Sequence, residues 1–223
     1  MNTSTLFVSA ALAAVTLRTA AVAAPPPANA VRVRGTIQSM TAKLLTISSA
    51  SGPIKVLLAG PPQVVSVVPS SRSQIKPGSF LGIASVVAPN GSQRAAEVVV
   101  FPEAGRGTGE GNYAWDLPTG GGGHSKMTNG TVSQSVSHSR MTNGVVSHQA
   151  GGSAITLQYK SGTGTGSQTM TLPMNVPIVT FAPGKASQLT PGAHVVVMAT
   201  KAANGTLKAD RILVGKNGLT PPM

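Results

Sequence analysis

The sequence predicts an all-β protein built as two tandem small antiparallel β-barrels of the OB or SH3 type, joined by a Gly-rich linker. Three observations carry this. Residues 56–100 recur at 170–214 at a constant offset of 114 residues (Leu58 to Leu172), so the chain holds two copies of one small unit. Leu58, Pro69, Gln74, Pro77, Gly78, Asn90 and Gly91 return as Leu172, Pro183, Gln188, Pro191, Gly192, Asn204 and Gly205. Second, no stretch after residue 30 keeps an apolar 3.6-residue period with caps, whereas short Val/Ile/Thr-rich runs bounded by Gly, Pro, Asn and Ser are frequent. Third, an open sheet of so few strands would leave adhesive edges, and closure into a barrel removes them.

The elements follow in order. Leu6–Leu17 is an apolar stretch too short to span a bilayer, and Ala21-Val22-Ala23 follows it as a small-x-small cleavage site. Residues 1–24 therefore read as a signal peptide, with Ala28-Asn29-Ala30 as a second possible site. Residues 31–101 read as the first barrel module, with strands at Val31–Arg34, Leu44–Ile47, Ile54–Leu58, Val64–Val68, Phe80–Val87 and Ala95–Phe101. Lys76-Pro77-Gly78 turns the chain into the next strand, Pro fixing φ and Gly admitting positive φ. Asn90-Gly91 predicts a type I′ hairpin, and both turns recur in the second copy. Residues 102–137 read as a Gly-rich acidic linker holding a local duplication, 138–215 as the second barrel module and 216–223 as a C-terminal tail. The second copy carries Gly162-Thr163-Gly164-Thr165-Gly166 as an insert in its first hairpin.

The chain has net charge +12, with 17 Lys and Arg against 5 acids. Residues 31–101 contain a single acid, Glu97, and residues 124–223 contain only Asp210. The linker holds the other three, Glu103, Glu110 and Asp116. Two basic modules thus flank an acidic segment, a field that favours anionic partners. There is no cysteine, so disulfides and lipid attachment through a thiol are excluded.

The arrangement resembles a bacterial family of exported proteins of unknown function, made of small β-barrel modules often in tandem. The resemblance rests on Gly35-Thr36-Ile37, a Leu-x-Ile run, the Lys-Pro-Gly turn, Asn-Gly and an Ala-x-x-Val ending. It also covers Phe101–Ala104, Gly107–Gly111, Trp115-Asp116-Leu117, Met-Thr-Asn-Gly and Val214–Met223. Members similar to it are sometimes labelled metal-transport permeases. The resemblance implies a fold and a periplasmic or secreted location, and no activity.

Two groups of candidate residues stand out. His124–Ser133 recurs 14 residues on as His138–Ser147, placing His124 three residues before Met127 and His138 three before Met141, with His148 beyond. Imidazole and thioether together form a soft set for Cu(I). The other reading is that Met-Thr-Asn-Gly leads into a strand and the histidines lie in a loop. The second group is the linker, where Tyr113 and Trp115 sit among Glu103, Glu110 and Asp116. These residues either anchor a partner or clasp the linker onto the basic modules. Enzymatic function is not expected: four His, five acids and no Cys offer few acid–base pairs, and three of the acids lie on a Gly-rich segment ill suited to preorganisation. Nucleic acid is not an expected partner, because single-strand binders need several stacking platforms and this chain has few aromatics. No transmembrane segment is expected in the mature chain. The sequence thus points to an exported, non-enzymatic binding or structural protein of the bacterial cell envelope. It would need no cofactor and would meet an anionic envelope component or a protein partner. The alternative is a periplasmic copper-handling accessory.

Overall fold

The computed structural model describes residues 29–117, 125–136, 152–162 and 164–221. The signal-peptide reading and both candidate cleavage sites fall outside them. The protein is all-β: β1 (Ala30–Met40), β2 (Leu44–Ser49), β3 (Gly52–Pro69), β4 (Phe80–Val87), β5 (Gln93–Val100), β6 (Gly111–Trp115), β7 (Ser125–Val136), β8 (Gly152–Ser161), β9 (Gly164–Pro173), β10 (Ile178–Pro183), β11 (His194–Lys201) and β12 (Leu207–Gly215). The only helical pieces among the described residues are short 3₁₀ turns. None is long and apolar enough to cross a membrane.

Five strands close into a barrel in the order β1-β2-β3-β12-β11 and back to β1. All its contacts are antiparallel except β3–β12, which is parallel. Alternation builds the interior. Val33 and Ile37, Leu45 and Ile47, Val56 and Leu58, Val195 and Val197, and Ile212 and Val214 point inward and form one core. The interleaved Arg32, Lys55 and Lys208 point away from it.

The strands do not sort by repeat copy. The barrel takes β1–β3 from the first copy and β11–β12 from the second. Conversely, β4 and β5 of the first copy line up as β5-β4-β7-β8-β9 with strands following the linker. This set curls around its own core of Leu81, Ile83, Val98, Ile155, Leu157 and Met170. Its ends meet through one parallel pair, Arg94↔Thr171, the counterpart of Lys208↔Leu57 in the barrel. The physical reason is equivalence: β11 and β12 carry the same inward pattern as β4 and β5, so either pair can complete a barrel begun by β1–β3.

The exchange is organised about a pseudo-two-fold axis. Val67 and Phe181, equivalent in the repeat, face each other where β3 and β10 pair antiparallel. The flanking pairs Pro69↔Val179 and Val65↔Pro183 are related by the same operation. A third core forms around the axis from Val67, Val99, Val179, Val196 and Leu213. Phe101 packs edge-on against Phe80 and Phe181, with ring centroids 5.4 and 5.5 Å away. The side chain of Arg72, in the link between β3 and β4, donates to the carbonyls of Leu172 and Pro173 and ties the crossover to β9.

Several local expectations are met and one is refined. Ser79 N–H donates to Lys76 O with Gly78 at φ 84°, the turn that Lys-Pro-Gly chemistry requires, and Thr190–Ala193 repeats it with Gly192 at φ 87°. The Asn-Gly hairpins are not type I′. Gly91 and Gly205 take positive φ while Asn90 and Asn204 do not. The side-chain oxygens of Asn90 and Asn204 instead accept N–H bonds from Ser92 and Thr206. This is a type I-like turn closed by one left-handed glycine, the common form when the loop exceeds two residues. Pro61 and Pro62 lack N–H groups and sit where β3 bulges, between the pairs Leu58↔Ala209 and Gln63↔Arg211.

The segment expected to be linker is partly sheet. β6 pairs with β7, and β7 pairs with β4 and β8. β7 is the first copy of the local duplication; the second copy lies outside the described residues.

The exchange makes a direct prediction. Residues 29–117 and 118–221 produced as separate chains in one cell should co-purify as a stoichiometric complex, because each half supplies strands that the other needs. Two fragments that elute independently as folded species would show that each copy closes alone.

Candidate functional site

Alternation in β1 sends Arg32 and Arg34 to the same side of the strand, away from the barrel interior. The two arginines converge on Asp116, just past the end of β6. Arg34 Nη1 and Nη2 donate to the two carboxylate oxygens at 3.0 and 2.9 Å, and Arg32 Nε donates at 3.1 Å. The Arg32 guanidinium also lies 3.7 Å from the centre of the Trp115 ring, a stacked cation–π contact. Tyr113 packs against Trp115 edge-on, with centroids 5.9 Å apart. Burial raises the Asp116 pKa, but hydrogen bonds and charge from Arg34 and Arg32 outweigh it and hold the carboxyl below its usual value. Burial pushes the Tyr113 phenol up, opposed by the charge of Arg32.

The three linker acids thus behave differently. Asp116 reaches the barrel. Glu103 makes a local ion pair with Arg106 at 2.6 Å, and the side-chain hydrogen bond from Arg106 is the main cause of its lowered pKa. Glu110 accepts the backbone N–H of Lys160 at 3.0 Å and so fastens the linker to β8. The Trp115 Nε1–H is buried and meets no acceptor among the described residues.

The Met-Thr-Asn-Gly motif is structural in its first copy. Met127 is 1% exposed, sealed in β7 between Ala84 of β4 and Tyr113 of β6. A thioether in that position cannot meet an ion without opening the sheet, so Met127 does not fit the copper set. Asn129 is buried and its Nδ2 donates to Thr108 O at 3.1 Å, holding the glycine loop against β7. A Cβ at Gly130 would stand 2.4 Å from the Gln158 carbonyl oxygen, so only glycine lets β7 approach β8 this closely. His124, His138, Met141 and His148 lie outside the described residues. Among the described residues, no three His, Cys, Asp or Glu side chains gather as a metal site. His194 begins β11, opposite Thr36, and its Nδ1 shares a hydrogen bond with Thr36 Oγ1 at 3.2 Å.

A second feature was not singled out by the sequence. On the outer face of the barrel, β3 turns Lys55 and Leu57 outward, and β12 places Lys208 directly opposite Leu57. Leu57 is 39% exposed, one of few large apolar side chains so placed among the described residues. Lys43 stands at the same end of β3, its carbonyl accepting the Leu58 N–H. Outward neighbours on adjacent strands lie about 5 Å apart and i, i+2 neighbours about 7 Å apart. Lys43, Lys55 and Lys208 are exposed, and none joins an ion pair among the described residues. The only signal for this patch was the positive charge; the register that gathers it comes from the strand exchange. At the symmetry-related place, Thr169 and Thr171 stand where Lys55 and Leu57 do, so the two faces differ in charge.

No family model matches the chain, and no curated protein or solved structure is significantly similar to it.

The Asp116 cluster has a signed pH dependence. Because the folded state lowers the Asp116 pKa, the pairing stabilises the fold above the ordinary carboxylate range. That contribution is lost as pH falls through the depressed value. Asp116 is 45% exposed, so solvent screening limits the effect to on the order of 1 kcal/mol. Asp116→Asn should lower thermal stability at pH 7 by a few degrees and leave stability near pH 2 unchanged. In the same variant, the Trp115 emission should shift toward that of exposed indole. Equal loss at both pH values would show that Asp116 acts through packing alone.

Proposed function

We propose that this chain is an exported, non-enzymatic binding protein of the bacterial cell envelope that holds an anionic polymer on the outer face of its barrel. The observation that carries the reading is the grouping of Lys43, Lys55 and Lys208 around exposed Leu57, with no carboxylate paired to any of the three among the described residues. Lysines on a rigid sheet present fixed positive charge without ordering a loop on binding, which keeps the entropic cost of association low. Exposed Leu57 between them offers apolar contact to the backbone of a polymer whose charges are spaced along it.

The linker fits this role as a strut. Asp116 neutralises Arg32 and Arg34, and Glu110 fixes the β8 side. The acids are thereby used at places other than the lysine face, which stays positive. Trp115 is occupied by Arg32, which favours the clasp over an anchor for an outside partner.

Charge reversal tests the reading. Lys43→Glu/Lys55→Glu/Lys208→Glu should weaken binding to inorganic polyphosphate at least tenfold and flatten its salt dependence, with thermal stability within a few degrees of the parent chain. Binding that survives all three reversals would place the anion site elsewhere.

Export is tested separately. The Leu6–Leu17 stretch and Ala21-Val22-Ala23 motivate a mature chain beginning at Ala24, or at Val31 if the second site is used. N-terminal sequencing of protein from a periplasmic fraction should return one of these. An intact Met1 on soluble cytoplasmic protein would rule export out.

A further inference from the structure

A cleft of about 570 Å³ opens beside the β8–β9 hairpin, lined by Glu110, Thr131, Gln158, Tyr159, Lys160, Thr165, Gly166 and Ser167. That volume lies within the range of small-ligand sites. It forms where the second repeat departs from the first. In the barrel, the β2–β3 hairpin ends at the pair Ser49↔Gly52. At the equivalent position the second copy has Tyr159↔Gly166, and the hairpin runs on through Lys160↔Thr165 and Ser161↔Gly164. The glycine-rich insert therefore builds one wall, and Glu110 from the linker builds another.

The chemistry of the walls narrows the occupant. Tyr159 is the only aromatic side chain in the lining, and there is no aliphatic one, so a lipid or flat hydrophobic ligand would find little to bury against. Glu110 and Lys160 bring opposite charges, so the cleft does not select a polyanion. What remains is a row of neutral hydrogen-bonding side chains, Thr131, Gln158, Thr165 and Ser167, around one aromatic ring. Gly166 sets that ring: a Cβ there would stand 2.6 Å from its carbons and 2.7 Å from its hydroxyl, so the glycine lets Tyr159 lie on the backbone. Glu110 is held by the Lys160 N–H at 3.0 Å, which fixes its carboxylate before any ligand arrives. An aromatic face bordered by preset hydroxyl, amide and carboxylate groups complements a pyranose ring, which has an apolar face and a polar rim.

The geometry points to a binding site for a neutral oligosaccharide in this cleft. Tyr159 serves as the stacking platform, and Glu110, Gln158 and Ser167 serve as hydroxyl partners. The site is separate from the lysine face of the barrel and does not depend on it.

The test is amide NMR of the full mature chain titrated with cellotetraose, beside a parallel titration with the anionic tetramer of galacturonic acid. Cellotetraose should shift the amides of Tyr159, Lys160, Gly166 and Ser167 saturably. Tyr159→Ala should weaken the effect at least tenfold, and Gln158→Ala/Ser167→Ala at least fivefold, with β11–β12 amides unchanged as a sign of intact fold. The double variant decides the matter if Tyr159→Ala disturbs the hairpin, because both of its side chains are exposed. Absence of a saturable shift at these amides with cellotetraose, or shifts indifferent to both variants, would overturn the site. If only galacturonate binds and it perturbs Lys55 and Leu57, the cleft assignment fails while the lysine-face reading stands. If cellotetraose binds in the cleft and polyphosphate binding ignores the lysine reversals, the opposite holds.

Discussion

Val67 and Phe181 occupy the same place in their two repeats and meet across the ladder between β3 and β10. This contact lets a chain of two small units become one continuous sheet. β3 is 18 residues long because it serves both sides: its first half closes the barrel with β2, and its second half pairs with β10 and β12. A strand that ended at Leu58 would leave the unpaired edge that small sheets avoid. The bulge at Pro61 and Pro62 lets one strand bend between the two tasks without a buried donor going missing. The apolar cluster on the axis, with Val99, Val196 and Leu213, shows where the halves gain from joining.

The same symmetry explains why function is argued from departures. Positions that obey the two-fold are mostly turn and core residues, such as Gly78 and Gly192 or Val65 and Val179. The places that break it carry the unusual surface: Lys55 and Leu57 against Thr169 and Thr171, and a longer β8–β9 hairpin against the short β2–β3 one. β6, with Tyr113 and Trp115, lies between the repeats and has no counterpart. A duplicated unit keeps its scaffold in both copies, while each outer face is free to differ because outward side chains contribute little to the core.

Much of this was legible in the residues. The 114-residue offset, the Lys-Pro-Gly and Asn-Gly turns and the alternating Val-Arg-Val-Arg of β1 foretold an all-β chain with correct strand positions. The clasp was legible from charge alone, since an acidic segment between basic ones has few other places to go, though only Asp116 of its three acids reaches an arginine of the barrel. Three things were not legible. Strand partnership was hidden because β5 and β12 carry nearly the same pattern, and pattern alone cannot say which copy a strand joins. The strand identity of β7 was hidden by the duplication, since Met127 and Met141 have equal local context. The lysine face was hidden because Lys43, Lys55 and Lys208 are far apart in sequence and meet only through the parallel β3–β12 register.

The exchange of halves also governs how the chain must assemble. A barrel begun at Ala30 cannot close until His194–Gly215 has been made, so its decisive contacts span most of the sequence, and such high contact order slows folding. β4 and β5 arrive earlier and fit the same slot, so a competing closure is written into the chain. To reach the exchanged state, that early partnership must be bypassed or undone. The link of Ser70–Ser79, with its 3₁₀ turn at Arg72–Gln74, is the stretch whose path selects between the two closures. A protein arranged this way has its slowest step set by topology rather than by the chemistry of any one residue.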